Sequence, residues 1–326
     1  MKKILFIILI TVLFFSCKKD LSNSFLPDPT LGINDTVWTS KPLTGGFIDS
    51  ISRAINNTQL IVDSFDVSSD DRFKINSNLE LFFSEHSCSL LNTNSSISSG
   101  NIKIELLALF KKGDYIKNLI STTSRKYLLQ SAGSFFVYLT SNGQEVAMTA
   151  NKSFTIKWAT SSPNTSMNFY QGFPLTNFDS LFTWLQTYNG SITNWDSTSL
   201  GSPKHGYQIS SQATNWISCS NLIDTSNGTT RLNVTLPLNY TNKNTIVFAA
   251  YTDKNTVVRL TTDFSTRSFY SLNVPLNSSI TLISISLIDN QFYLGSRTVT
   301  VTNANRFSVN PVKSSPAEII SLLDGL

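Results

Sequence analysis

The sequence is short of the side chains that most often carry chemistry: two His, three Cys and five Glu stand among 326 residues. Charge is scarce too, at 14% of positions with a net +4, and no Lys/Arg cluster exceeds three residues. Nucleic-acid binding needs a concentrated basic face, so this spread-out charge excludes a nucleic-acid partner. No glycine-rich phosphate loop and no G-x-S-x-G elbow occurs. So few His and Glu assemble no recognisable zinc motif. Asp63, Asp66, Asp70 and Asp71 cluster within nine residues but lack the spacing and the glycine of a calcium loop. They read as strand-end and turn carboxylates, so no metal ligand and no cofactor is expected.

What the chain does have is apolar and neutral-polar material. Hydrophobic residues make up 40%, with 22 Phe, 10 Tyr and 5 Trp, which excludes disorder throughout. Ser, Thr and Asn fill roughly 35% of positions, well above ordinary globular usage. The length supports two compact domains, neutral-polar outside and β-friendly inside.

The N-terminus is the most specific feature. Lys2 and Lys3 precede an apolar run, Ile4 to Phe15, of 12 residues. A bilayer span needs about 20, so this is the hydrophobic region of a signal peptide. The run ends in Phe14-Phe15-Ser16-Cys17, which resembles the lipobox of bacterial lipoproteins. Phe14 departs from the Leu or small aliphatic residue most lipoboxes carry there, and the alternative is an ordinary secretory signal. The resemblance implies a diacylglyceryl group on the Cys17 sulfur, cleavage before it and acylation of the new amino terminus. Two or more acyl chains give stable anchoring where one does not. Lys18 follows Cys17 instead of the Asp that resembles an inner-membrane retention signal. The expected location is therefore the outer membrane, with the face left open. Lys18-Lys19-Asp20 resembles the tether start of lipoproteins of the Bacteroidota.

Residues 1–16 are expected to be the signal peptide, and 17–58 the anchor and a flexible tether. Pro27, Pro29, Pro42 and Gly45-Gly46 mark that tether, with Val37 and Trp38 as its only early anchors. Residues 59–160 are expected to form a first β-sandwich. Its strands are Leu60 to Val62, Asn101 to Phe110, Phe135 to Thr140 and Phe154 to Trp158. Asn142-Gly143 is the strongest two-residue hairpin signal. Residues 161–206 read as an irregular connector, in which Phe178 to Tyr188 forms a short helix or a pair of strands. Residues 207–326 are expected to form a second sandwich. Thr245 to Tyr251 and the Ile280–Ile288 and Gln291–Val301 hairpin would build it, closed by a short amphipathic helix from Pro316 to Leu323. The fold class is all-β: two antiparallel, Ig-like sandwiches with a C-terminal helix.

A further resemblance rests on two stretches. One contains Ser99 to Leu107 (SGNIKIELL), Lys112 to Ile116, Ser131 to Phe135 and Asn142 to Val146; the other contains Asn215 to Cys219, Val247-Phe248 and Phe292 to Leu294. Together they resemble a family of Bacteroidota lipoproteins without an established activity. Its first half is similar to the β-sandwich of ankyrins, netrin receptors and tight-junction scaffolds. Glu85-His86-Ser87-Cys88 stands where that sandwich carries a Pro-Ala-Gly turn. The resemblance implies a cell-envelope location and no particular reaction.

Several residues remain as candidates. Cys88 and Cys219 either pair, stapling the two halves across about 130 residues and adding about 4 kcal/mol in the chain-entropy model, or stay as two buried thiols. His86 two residues from Cys88 invites a nucleophilic pair, but no orienting group accompanies it, so it reads as a solvated loop residue. His205 reads as a turn residue. Trp184, Tyr188, Trp195, Tyr207 and Trp216 fall within 33 residues and either stack on sugar rings or fill a core. Alternation sets Trp216 opposite Ile217, and the larger ring is expected to face inward. Asp35-Thr36-Val37, Asp49-Ser50-Ile51, Asp179-Ser180-Leu181 and Asp196-Ser197-Thr198 resemble the O-glycosylation sequon of exported Bacteroidota proteins, which implies modification at Thr36, Ser50, Ser180 or Ser197. The leading functional expectation is a non-enzymatic, lipid-anchored envelope protein with an interaction or structural role. A glycan-binding accessory lipoprotein is the alternative, and a hydrolase the third reading. Partners are accordingly the membrane and a glycan or another envelope protein.

Overall fold

Alternating apolar residues bring strand after strand into antiparallel register from Ile61 onward. The structure, a computed structural model, describes residues 36–40, 46–174, 182–197 and 204–326. Cys17 and Ser180 lie outside them. The first group of strands is β1 (Ile61–Asp66), β2 (Asp71–Asn76), β3 (Leu79–Phe83), β4 (Cys88–Leu90), β5 (Asn101–Leu109), β6 (Thr123–Ser124) and β7 (Tyr127–Ser141). It continues with β8 (Gln144–Met148), β9 (Phe154–Ala159), β10 (Asn168–Pro174), β11 (Phe182–Gln186), β12 (Gly190–Ser197), β13 (Lys204–Ser211) and β14 (Asn215–Leu222). These make two sheets, one ordered β1-β5-β7-β14-β10-β11 with β4, β6 and β8 attached, the other β12-β13-β9-β3-β2. Their inner faces share one core, from Phe65 and Phe83 through Ile104, Val137 and Phe154 to Ile209 and Ile217.

The second group is β15 (Thr229–Thr235), β16 (Thr245–Tyr251), β17 (Val257–Arg259), β18 (Thr261–Asp263) and β19 (Ser268–Pro275). It ends with β20 (Ser279–Ile288), β21 (Gln291–Thr300), β22 (Arg306–Ser308) and β23 (Val312–Ser314). The sheets run β18-β19-β15-β22 and β17-β16-β20-β21-β23, antiparallel except where β15 meets β22. The chain is thus all-β with sandwich-like layers and a short C-terminal helix. Both hairpin turns form as the sequence reading expects. Asn142 and Gly143 sit at φ 50° and 78°, and Asp289 and Asn290 at φ 50° and 59°, the double positive φ that a two-residue hairpin requires.

The division expected after residue 160 is not where the pairing divides. The stretch read as an irregular connector carries β10, β11 and β12, and β10 pairs β14 while β12 pairs β13. Strands β13 and β14, expected to open the second sandwich, instead pair β9 and β7 of the first. The change of sandwich falls between Leu222 and Thr229. Of Phe178 to Tyr188, the described Phe182–Gln186 is strand β11, and Tyr188 follows it outside the strand.

A third core joins the two sandwiches, and three helices close it: α1 (Phe47–Ile55), α2 (Lys112–Lys117) and α3 (Pro316–Asp324). Helix α1 overturns the expectation of a tether reaching residue 58. Its Ile48, Ile51 and Ile55 recur at helical spacing and are buried in this seam. Helix α3 starts as expected, with Ser315 accepting from the Glu318 amide and Glu318 reaching back to the Ser315 amide. It packs on α1 and α2 in the seam. Lys117, its side chain only 4% exposed, pairs through its ammonium with Asp324. The approach is close: a Cβ on Gly113 would lie 2.0 Å from the Leu323 carbonyl oxygen.

The seam explains why Thr245 to Tyr251 is apolar without alternation. Ile246, Phe248 and Ala250 face the third core, whereas Val247, Ala249 and Tyr251 face the second sandwich's own core. A bulge near Ala132, where Cys219 opposes Gly133 but Ser220 opposes Ser131, turns β7 over. Beyond it Leu129 enters the seam and Leu128 the second sandwich. Thr122 donates to the Val257 carbonyl and Ser131 to the Asn255 carbonyl, so backbone bonds also cross. Ahead of α1, Trp38 packs on Phe269 at 5.0 Å and Thr39 exchanges two hydrogen bonds with the Asn242 amide, whereas Val37 is exposed.

Candidate binding face

The five aromatics grouped in sequence do not converge, and Tyr207 on β13 is buried in the first core. Trp184 on β11 is sealed in the seam, its indole N–H donating to the Ser121 carbonyl at 2.8 Å. Trp216 on β14 lies one ring outward, half-buried, 5.2 Å from Phe136 and perpendicular to Trp184 at 6.3 Å. Tyr188 stands fully exposed in the turn before β12. Trp195 is on the far sheet. The expectation that Trp216 faces inward is overturned: Ile217 is fully buried in the first core, and Trp216 points to the opposite face. That face is itself partly covered by the seam, so the large ring is shielded there while the branched aliphatic residue fits the interior.

Cys88 and Cys219 are both free and buried in the first sandwich, so no disulfide staples the halves. Cys219 lies on β14, which joins the first sandwich and not the second. Burial raises the Cys88 thiol to about 11 and pushes Cys219 up as well, which keeps both protonated and unreactive at neutral pH. His86 is exposed while Cys88 is buried, so the pair does not form. His205 lies in β13, not a turn, and its Nδ1 is 2.6 Å from Asp196. Asp66 ends β1 and accepts from the amide and hydroxyl of Ser68, which lowers its pKa, whereas Asp63 sits within β1 and not at a strand end. No cluster of three metal-ligating residues occurs among the described residues. A buried hydroxyl chain links Tyr115 to Ser131 and Ser134 at 2.7 and 2.8 Å, and Ser134 to Ser218 at 2.8 Å. Burial raises the Tyr115 phenol, and the chain locks α2 to β7 and β14. Among the sequon residues, Thr36 is half-buried, Ser50 donates to the Gly46 carbonyl from the first turn of α1, and Ser197 is half-buried at the end of β12.

One surface does gather chemistry: the outer face of the β12-β13-β9-β3-β2 sheet. Its strands alternate apolar inward and polar outward, as in Phe154, Ile156 and Trp158 against Thr155 and Lys157. Register lines up Lys74, Glu80, Lys157, Gln208 and Thr193 in one row across all five strands. The next row sets Ala159, Gly206 and Trp195 side by side. Gly206 makes the platform possible. A Cβ there would lie 1.9 Å from the Trp158 carbonyl oxygen and 2.9 Å from Trp195 Nε1. Trp195 therefore lies down on the strand, donating to the Tyr207 carbonyl at 3.1 Å. The Lys157 ammonium stands 4.1 Å from the centre of its ring, a cation–π geometry. Arg72 sits over Phe82 at 5.7 Å and reaches Glu80 at 3.8 Å, while Lys204 donates to the Ser77 carbonyl at 2.8 Å.

Two adjoining shallow grooves cross this face. One of about 460 Å³ runs past Lys74, Asn76, Asn78, Lys157, Trp195 and Lys204. The other, about 200 Å³, holds Arg72, Phe82 and Gln208, and both share Glu80 and Lys157. Of this set sequence reasoning named only Trp195. The available signal was the outward half of the alternation, Lys157 in FTIKW above all, but only cross-strand register joins it to Lys74 and Glu80.

Comparison of the chain with protein-family models, curated proteins and solved structures gives no match.

Proposed function

We propose that this chain is a lipid-anchored protein of the cell envelope that works by binding, not by catalysis, and that the outer β12-β13-β9-β3-β2 face is its working surface. The lipobox-like Phe14-Phe15-Ser16-Cys17 supports the anchor, with diacylglyceryl at Cys17 and the outer membrane as its location. The resemblance to Bacteroidota lipoproteins supports the same setting. The observation that carries the binding reading is the contrast in accessibility. The cysteines and the Tyr115 hydroxyl chain are sealed in cores, whereas Trp195 and its row of charges stand on an open, grooved sheet. A sheet braced behind by its own core presents that row with little ordering cost on association.

The test is fractionation with a pull-down. Full-length Cys17→Ala protein is expected to need no detergent for release from membranes, with its fold intact, while still binding isolated envelope material reversibly. The further change Trp195→Ala with Lys157→Ala is expected to remove that binding without lowering Tm. Cys17→Ala protein that still needs detergent for release when Trp195→Ala and Lys157→Ala are also present would contradict the anchor. Envelope binding that survives the double change would contradict the face.

A further inference from the structure

The geometry points to an acidic polysaccharide as the ligand of the two grooves, an inference that rests on the binding reading above. The charge on the face is one-sided. Lys74, Lys157 and Lys204 line the larger groove against the single carboxylate Glu80, and Arg72 extends the row into the smaller one. Within a chain of net +4, four cations against one acid on one sheet face is a strong local bias. Exposed groups of this kind attract an anion mainly at low to moderate salt, since screening acts within about 8–10 Å.

Three features select a sugar polymer over a compact anion. First, the cations are spread along the sheet and not converged on one point: the five strands from β2 to β12 span about 19 Å at the usual strand spacing. A single phosphate or carboxylate would touch only one of them. Second, Asn76, Asn78 and Gln208 stand between the charges and offer paired donors and acceptors of the sort hydroxyl groups need. Third, Trp195 lies flat beside the row with a lysine ammonium on its ring. A sugar carboxylate that draws Lys157 aside would expose an aromatic plane for the same sugar ring. Lys157 thus serves as a gate on the stacking surface and as the counter-ion of the ligand that opens it.

The experiment titrates full-length Cys17→Ala protein with polygalacturonate, monomeric galacturonate, neutral dextran and single-stranded DNA at low and at 0.5 M salt. Polygalacturonate is expected to bind at low salt, at least tenfold more weakly at high salt, and to quench the fluorescence of Trp195. Lys157→Gln and Trp195→Ala should each weaken it at least fivefold with Tm unchanged. Trp216→Phe on the opposite face should leave it unaltered. Equal binding of dextran would overturn the acidic class, equal binding of DNA would overturn the sugar, and equal binding of the monomer would overturn the extended site. If polygalacturonate fails while the face variants still abolish envelope binding, the ligand class falls and the working face stands.

Discussion

On one side of the first sandwich Phe136, Trp216, Phe182 and Trp184 run ring against ring at 4.9 to 6.3 Å until they pass under the second sandwich. On the other side Trp195 lies alone on a sheet, with a lysine on its face and charges around it. The two surfaces belong to the same fold and both carry tryptophan. What differs is the neighbouring row. Trp184 shares a core with Leu109, Leu129 and Tyr170, which find partners in Phe248, Ile283 and Ile319. Beside Trp195 they place Lys157, Gln208 and Lys74. An aromatic residue is structural or available according to what packs on its face of the sheet, which sequence distance does not show.

The contrast is broken most severely at the seam. Phe248→Ala should cost about 3–5 kcal/mol, as deletion of a buried aromatic side chain does. Because the third core draws on both sandwiches, the expected calorimetric result is one transition shifted as a whole. Two separated transitions would show that the sandwiches fold independently. Next in size is the pair on β14. Ile217→Ala should cost about 2–5 kcal/mol, and Trp216→Ala less, because Trp216 is only half-buried. Thermal melts side by side check the order. Gly113→Ala should loosen α3 without melting either sandwich, by pushing its added methyl into the Leu323 carbonyl. Hydrogen exchange should rise at Ile319 to Asp324.

These expectations also mark what was legible beforehand. The all-β class, both Asn/Asp-rich hairpins and the C-terminal helix follow from local signals: positive-φ turn residues, period-two alternation and a Ser-Pro-x-Glu start. The seam does not. Nothing local separates an Ile48-Ile51-Ile55 stripe that docks on another domain from polar tether around it, and the Gly45-Gly46 pair before it suggested a loop. The boundary was misread for a related reason. Residues 161–206 look like a connector, but β10 to β14 return to the first sandwich, and only long-range pairing reveals that. The working face was the least legible, because its row is drawn from five strands spread over residues 71 to 211.

A smaller effect separates buried thiols from reactive ones. Iodoacetamide should leave Cys88 and Cys219 unmodified at pH 8 in the native protein and modify both in denaturant, since burial holds each thiol protonated. The smallest concerns acid. Hydrogen bonds from the Ser315 amide and the Ser314 and Ser315 hydroxyls hold Glu318 below its usual 4.5. A folded-state pKa that is depressed contributes stability above the unfolded value, lost as pH falls through the folded one. The first turn of α3 should therefore exchange faster only below about pH 4.5, and Glu318→Gln should abolish that dependence.

The most direct test sets Trp195→Ala beside Trp184→Ala in the Cys17→Ala chain, measuring Tm and envelope binding on the same samples. The account predicts that Trp184→Ala lowers Tm sharply, and that Trp195→Ala leaves Tm within about 1 °C yet loses the binding. A Trp195→Ala protein that melts early, or that binds as before, would contradict the assignment of one face to assembly and the other to a partner.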